Sequence, residues 1–136
     1  MNTFPLKIVT PDGLLMDGPA QELVVRTTTG DLGILAGHVN CVAPLGMGQA
    51  MVVADGQKRY AACIGGMVSV VDGNVTLVPT TFEWADEIDV KRAEAAHRRA
   101  QSILDKKDAN DVELALAQAR LKRALIRTSV ATRKPM

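Results

Sequence analysis

The chain changes character within one stretch, Glu83-Trp84-Ala85-Asp86-Glu87-Ile88-Asp89-Val90-Lys91-Arg92-Ala93. Before this stretch, short β-branched and apolar runs are separated by Gly, Asp and Pro, a pattern that is typical of strands joined by turns. After it, Ala and Leu recur every three or four residues, which is typical of amphipathic helices. The stretch therefore divides the sequence into a β-rich domain, residues 1–85, and a helical domain, residues 86–136.

The composition is that of a globular protein whose charge is unevenly distributed. The 136 residues are 47% hydrophobic and 23% charged, which suits one compact domain or a domain with a helical appendage. Residues 1–84 carry a net charge of −3 and residues 85–136 a net charge of +4. The last acidic residue is Glu113. The charges beyond it are all positive and suggest an acidic or phosphorylated partner: Arg120, Lys122, Arg123, Arg127, Arg133 and Lys134.

Several classes of protein are disfavoured by the same composition. Only four aromatic side chains are present, which argues against a nucleic-acid partner bound by base stacking. No run approaches the roughly 18–20 apolar residues of a membrane span, and the N-terminus lacks the features of a signal peptide. We therefore expect an intracellular protein in which Cys41 and Cys63 are two buried thiols rather than a disulfide. The two Cys and two His are too scattered to predict a metal site.

The β-rich domain is predicted to be an antiparallel sandwich of about ten short strands. Runs at residues 6–10, 14–17 and 22–28 suit strands, and the glycine-rich segment 30–38 suits a bent strand followed by a turn. Asp-Gly pairs at residues 55–56 and 72–73 predict two hairpins with type I′ turns. Gly65-Gly66 is interpreted as the break between the hairpins, and residues 82–84 as a last strand. His38 is interpreted as structural, because no nucleophile or carboxylate partner lies near it in the sequence.

The helical domain is predicted to be an antiparallel hairpin, which makes the fold class α+β. The first helix is expected from about Glu87 to about Asp105, with carboxylates at its start. The second is expected to begin at Asn110, which lies at capping-box spacing from Glu113, and to fray from Ser129 onwards. The apolar stripes are rich in alanine, so we expect a thin interface that separates at modest cost. They consist of Ile88, Ala93, Ala96, Ala100, Ile103 and Leu104 on the first helix and Leu114, Ala117, Leu121, Ala124 and Leu125 on the second.

Taken together, the two halves resemble the epsilon subunit of rotary ATP synthases, the counterpart of the mitochondrial delta subunit. The resemblance covers nearly the whole chain. It is carried by the opening strand and turn at residues 6–13, the glycine-rich segment 28–38 that ends in histidine, and the double glycine at residues 65–66. At residues 41–45 the match is looser.

The resemblance implies a non-catalytic central-stalk subunit that needs no cofactor and sits peripherally at the cytoplasmic face of the cell membrane. Its implied partners are the gamma subunit, the ring of c subunits and the alpha/beta catalytic head. The contact region for gamma and the c-ring is implied at Gly30, Asp31, Leu32, Gly33 and His38. The helical hairpin is implied to extend and inhibit ATP hydrolysis by placing basic residues against an acidic segment of the beta subunit: Arg120, Lys122, Arg123 and Arg127.

The resemblance also implies ATP as a regulatory ligand. Some bacterial members bind ATP through a motif that stands here as Ile88-Asp89-Val90-Lys91-Arg92-Ala93, with a further contact at the position of Glu83. Helical spacing places Arg120, Arg123 and Arg127 on one face, where a polyphosphate would relieve their mutual repulsion. If the turn centres near Ala109, Arg92 lies opposite Arg123 or Ala124, and Arg99 extends the same face. The alternative is that Asp89 only supports the start of the helix and Arg92 pairs with a nearby acid.

Two other classes of function remain as alternatives. A free-standing sandwich with a basic hairpin for an acidic protein is the main one. Its near-neutral net charge argues against nucleic acid as the partner. An enzyme has the least support, because neither His38 nor His97 has a visible nucleophile beside it.

Overall fold

The structure is a computed structural model that describes residues 2–132. It divides into two compact units, the first ending at Trp84 and the second beginning at Ala85. The first unit contains eight strands: β1 (Phe4–Thr10), β2 (Gly13–Ala20), β3 (Glu22–Thr27), β4 (Gly30–Ile34), β5 (Cys41–Pro44), β6 (Met47–Ala54), β7 (Gln57–Val71) and β8 (Asn74–Trp84). The second contains a 3-10 turn (Ala85–Glu87), α1 (Val90–Leu104) and α2 (Asp111–Ala131). The predicted α+β class is confirmed.

The eight strands form one hydrogen-bonded sheet in the order β2-β1-β8-β7-β6-β3-β4, with β5 paired to β7. The long strands β7 and β8 serve both layers of the sandwich. Residues 67–70 of β7 pair with β5, whereas residues 57–64 pair with β6. Likewise, residues 75–77 of β8 pair with β1, in the only parallel ladder of the described residues. The prediction of about ten strands divided each of β7 and β8 into two, one segment for each layer. The strand number is therefore corrected from about ten to eight.

The corner between the two layers lies at Gly65 and Gly66, which were predicted to separate two strands. Instead, β7 runs through them and keeps one register with β8, from Ala61 opposite Trp84 to Val71 opposite Asn74. Both glycines have positive φ, 69° and 100°. A Cβ on Gly66 would lie 2.0 Å from the carbonyl oxygen of Val78. Only glycine lets β7 and β8 turn the corner together.

The predicted hairpin turns are confirmed. Asp55 and Gly56 have φ of 52° and 73°, and Asp72 and Gly73 have φ of 50° and 83°. Positive φ at both central positions is what a type I′ turn requires, and its twist matches that of the flanking strands. The glycine-rich segment also folds as expected, with β4 ending at Ile34 and a turn after it.

One apolar core lies between the two layers. Buried positions alternate with more exposed ones along β1 and β3, and β1 buries Phe4, Leu6 and Ile8 in this way. Few aromatic rings take part, so the core is built from aliphatic side chains. Its fully buried large members include Leu6, Ile8, Leu23, Val25, Ile34, Val68, Val70 and Leu77.

The second unit begins with the 3-10 turn rather than with the helix that was predicted from Glu87. Asp89 has extended backbone torsions, φ −80° and ψ 100°, and is the N-cap of α1. The acids Asp86 and Glu87 belong to the turn before it. The helix begins at Val90 because Asp89 is the residue whose carboxylate reaches a free amide of the first turn.

The start of α2 follows the prediction, whereas its end does not. Asn110 accepts a hydrogen bond from the Glu113 amide at 2.8 Å, and its side-chain amide donates to the Glu113 carboxylate at 2.9 Å. The helix continues to Ala131 instead of fraying at Ser129, and Val130 is buried. The rest of the predicted frayed tail, residues 133–136 with Arg133 and Lys134, lies outside the described residues.

The prediction that small side chains dominate the buried positions of the two helices is confirmed. Ala93 and Ala100 are buried on α1, and Ala117 and Ala124 on α2. Leu125 was assigned to the apolar stripe, but it is 51% exposed, so that assignment is wrong. Leu125 directly follows the buried Ala124, and one residue turns a helix by about 100°, which carries its side chain off the buried face.

Candidate functional site

The motif at residues 88–93 forms the N-terminal turn of α1. Ile88 is buried at 8% exposure and Ala93 at 0%. The Oδ1 atom of Asp89 accepts a hydrogen bond from the Arg92 amide at 3.1 Å. The expected support of the helix start by Asp89 is therefore observed. The Arg92 side chain is exposed and makes no hydrogen bond or ion pair within residues 2–132, so pairing with a nearby acid is not seen.

The second carboxylate oxygen of Asp89 is available as a hydrogen-bond acceptor. Its cap uses Oδ1, and Oδ2 has no hydrogen-bond partner among the residues that the structure describes. A carboxylate that caps with one oxygen keeps the lone pairs of the other for a donor such as an amine or a hydroxyl. The motif thus combines buried apolar anchors with one outward acceptor and one outward guanidinium.

The other predicted arginines lie on both helices. Arg99 follows Arg92 by seven residues, or about two turns, and both are exposed on α1. On α2, Arg120, Lys122 and Arg123 are exposed and Arg127 is half-buried. Apart from Arg127, the side chains of these residues make no ion pair with any residue between 2 and 132. The proximity of Arg92 to Arg123 or Ala124 stays a prediction. Glu83 lies in the first unit, half-buried in β8 opposite Ala62.

The glycine-rich contact region is the hairpin of β3 and β4 with the loop after it. Asp31 lies directly opposite Arg26 in the ladder. The Arg26 Nε atom donates to Asp31 Oδ1 at 2.6 Å, and the Nη2 atom lies 3.5 Å from Oδ2. This hydrogen bond, with the attraction between the charges, raises the pKa of Arg26. The pair was not predicted, because only the strand register brings the two residues together.

His38 closes this region as a structural residue. Its Nδ1 atom donates to the carbonyl oxygen of Val39 at 2.8 Å, since a carbonyl oxygen only accepts. Its backbone amide donates to the carbonyl oxygen of Leu35 at 3.2 Å. These bonds hold the histidine within its own loop, as its structural interpretation expects.

An apolar surface that sequence reasoning missed covers the outer side of β5, β7 and β8. We call it the outer apolar face; its members are Val42, Met67, Val71 and Val78, which are 44% to 63% exposed. Met67 and Val78 are direct partners across the ladder. The signal was present in the sequence, because residues 67–71 and 75–78 place apolar side chains on both sides of the strands. Clusters of exposed apolar side chains mark sites of protein association.

Within residues 2–132, no three His, Cys, Asp or Glu side chains come together as a metal site would require. Cys41 and Cys63 are both free thiols, as expected, but only Cys63 is buried, whereas Cys41 is half-buried. Burial raises the pKa of Cys63 to about 12, which keeps it from acting as a nucleophile at neutral pH. Across the described part of the chain, no helix is long and apolar enough to cross a membrane.

Comparison with known families decides between the open interpretations. Residues 3–85 match the model of the ATP synthase delta/epsilon chain, beta-sandwich domain, and residues 86–132 match that of its long alpha-helix domain. The chain belongs to the ATP synthase delta/epsilon family. As a member of this family it is a subunit of ATP synthase rather than an enzyme in its own right, which favours the stalk interpretation over a free-standing module.

Individual relatives of this family member match it over nearly its whole length. The chain is 41% identical to the ATP synthase epsilon chain of Ruminococcus albus over 135 residues, which cover 98% of this chain and 100% of the relative. It is 42% identical to that of Bacillus licheniformis over 131 residues, which cover 96% and 99%. A bacterial epsilon-type identity is therefore consistent along both units.

Solved structures show the same fold at lower identity. A chain of the Euglena gracilis mitochondrial ATP synthase matches with a TM-score of 0.78 at 24% identity, covering 88% of this chain and 76% of that one. A chain of the Tetrahymena thermophila central stalk and c-ring matches with a TM-score of 0.61 at 16% identity, covering 94% and 96%.

Proposed function

We propose that this family member is a central-stalk subunit that docks on the gamma subunit and the c-ring, turns with them, and couples rotation to ATP synthesis. The observation that carries the proposal is the outer apolar face. A folded sandwich that leaves Val42, Met67, Val71 and Val78 exposed beside one another is built to be covered by a partner. The relatives are named as chains of ATP synthase, which identifies the assembly that would supply that partner.

The first unit would supply the permanent contacts of the subunit. Its expected contact region, Gly30, Asp31, Leu32, Gly33 and His38, lies on β4 and the following loop. The subunit would thereby be held at the cytoplasmic face of the membrane through the complex. Add-back to a synthase preparation that lacks its own copy tests this role. We expect the chain to restore ATP-driven ion pumping, and failure to rebind would contradict the proposal.

The second unit would supply regulation by inhibiting ATP hydrolysis. The last two turns before Thr128 carry Arg120, Lys122, Arg123 and Arg127 without a single acid on α2 after Glu113. Individual surface ion pairs contribute little, so inhibition requires several acting together in a partly desolvated contact with an acidic segment. The small buried side chains of the two helices suit separation of α2 from α1 at modest cost.

The inhibitory role is tested by removing the charges together. Replacing Arg120, Arg123 and Arg127 with Ala in the reassembled enzyme should relieve inhibition of ATP hydrolysis. The matched control is Lys106→Ala and Lys107→Ala, which removes exposed cations between the helices instead. Hydrolysis that stays as low with the arginine variant as with the unmodified chain would contradict the role.

ATP is proposed as the ligand that holds the second unit in its non-inhibitory form. The free Oδ2 of Asp89 and the unpaired guanidiniums of Arg92, Arg99 and Arg123 are the groups that an adenine or ribose donor and a polyphosphate need. Glu83, Arg120 and Arg127 complete the proposed set. Binding to one conformation alone shifts the population towards it, so ATP would act as a sensor input.

Calorimetric titration of the purified chain tests the ATP proposal. We expect heat of binding with ATP and a loss of that heat in Arg92→Ala. Lys91→Ala is the matched control, because Lys91 is the neighbouring exposed cation of the same turn. The absence of heat at millimolar ATP would leave residues 88–93 with a structural role alone.

A further inference from the structure

The hairpin of β3 and β4 carries a side-chain arrangement that folding alone does not require. Arg26 lies along the surface and binds Asp31 through two nitrogen atoms. Its Nε atom is 2.6 Å from Oδ1 and its Nη2 atom is 3.5 Å from Oδ2. Both side chains remain more than half exposed, at 51% and 58%. An ion pair this exposed contributes little to the stability of a fold.

Space for Arg26 is provided by two glycines of the neighbouring segment. A Cβ on Gly48 would lie 2.7 Å from the Arg26 Cβ and 3.0 Å from its Cγ. A Cβ on Gly46 would lie 3.6 Å from the same Cγ and 3.1 Å from the carbonyl oxygen of Thr27. Neither glycine has positive φ, so space for the arginine, and not backbone conformation, is what glycine supplies here.

The tip of the hairpin is fixed as well. Thr27 is buried at 7% exposure, and its hydroxyl donates to the carbonyl oxygen of Gly30 at 2.7 Å. The same hydroxyl oxygen accepts from the Thr29 amide at 3.3 Å. The backbone that carries Asp31 is therefore held by Thr27 from the inside, while Arg26 holds the carboxylate from the outside.

From this geometry we infer that Arg26 is a positioning residue, laid across Gly46 and Gly48 to present the outer lone pairs of the Asp31 carboxylate to a partner. The partner is a surface of the stalk that offers hydrogen-bond donors, such as amide or basic side chains. A carboxylate has about four acceptor sites and the guanidinium occupies two of them, so two remain for such donors. The inference rests on the proposed stalk function, and it adds Arg26, which is not part of the proposed contact region.

Binding of the full chain to a synthase complex that retains its c-ring but lacks its own copy tests this inference. Gly48→Ala is the decisive variant, because it keeps both charges and removes only the space under Arg26. We expect Arg26→Ala, Gly48→Ala and Asp31→Asn each to weaken binding about tenfold, the loss of one charge-assisted contact. Lys58→Ala, which removes an exposed cation of the β6–β7 hairpin, should bind as the unmodified chain does.

A charge swap separates positioning from simple surface stability. The double variant Arg26→Asp with Asp31→Arg keeps an ion pair but presents the opposite charge, so it should melt at the same temperature and still bind weakly. Restored binding by the swap would overturn the inference. Normal binding by Gly48→Ala or Arg26→Ala would also overturn it, even if Asp31→Asn binds weakly. If the unmodified chain fails to bind, the proposed stalk function itself falls.

Discussion

Asp89 is expected to have two separable roles, one in folding and one in ATP binding, and two substitutions distinguish them. Asp89→Ala removes the acceptor of the 3.1 Å hydrogen bond from the Arg92 amide. Loss of an N-cap costs about 1 kcal/mol, within a range of roughly 0.5–2 kcal/mol. Asparagine caps as well as aspartate, so Asp89→Asn should leave the stability of α1 unchanged to within a few tenths of a kcal/mol.

Hydrogen exchange of the Arg92 amide, followed by NMR, measures the cap directly. A loss of about 1 kcal/mol corresponds to about fivefold faster exchange in Asp89→Ala, with little change in Asp89→Asn. The backbone hydrogen bond from the Ala93 amide to the Asp89 carbonyl, 3.0 Å long, survives both substitutions and serves as the internal control. Equal exchange in all three proteins would refute the capping role.

ATP titration of the same proteins measures the second role. In Asp89→Asn the side-chain oxygen caps the helix, so an NH2 group replaces the outward Oδ2 acceptor. Losing a hydrogen bond to a charged group costs about 1.5–3 kcal/mol, so ATP affinity should fall at least tenfold while the helix stays intact. An Asp89→Asn protein that binds ATP like the unmodified chain would show that Asp89 only caps.

Two further predictions concern the sandwich. Gly66→Ala should destabilise it by at least about 2–3 kcal/mol, because the new Cβ meets the Val78 carbonyl oxygen at 2.0 Å with φ near 100°; chemical denaturation measures this, and a near-neutral result would contradict the corner geometry. Cys63 has its pKa raised by burial from 9.0 to about 12, so the thiol favours the folded state below pH 9 and that contribution is lost as pH rises from 9 to 12. Cys63→Val should flatten the decline of stability across this window, and identical pH profiles would contradict the assignment.

Local chemistry predicted much of the fold. The Asp-Gly turns, the Asn110 cap and the alanine-lined helices all depend on residues within a few positions of one another. The strand count differed because a double glycine signals a break in regular structure equally well at a loop and at a corner. Only the unbroken register of β7 with β8 shows that the strand continues.

The candidate site likewise has some features that the sequence predicts and others that only the structure shows. The N-cap role of Asp89 follows from its position before a helix and was open to prediction. The Arg26–Asp31 pair, and its packing against Gly46 and Gly48, depend on the register of β3, β4 and β6, which sequence spacing does not specify. The sequence shows the outer apolar face as apolar residues at successive positions of β7, so that they lie on both sides of the strand. Which of these residues are exposed depends on what covers each side of the sheet.

The most direct test of the stalk role is co-elution of the purified chain with the gamma subunit of its own synthase. Val78→Asp places a charge within the outer apolar face, opposite Met67. Val112→Asp is the matched control, because Val112 is a more exposed valine, at 68% against 46%, and lies on α2. We predict that the unmodified chain and Val112→Asp co-elute with gamma whereas Val78→Asp does not. Co-elution of Val78→Asp at the same affinity would contradict docking through the outer apolar face.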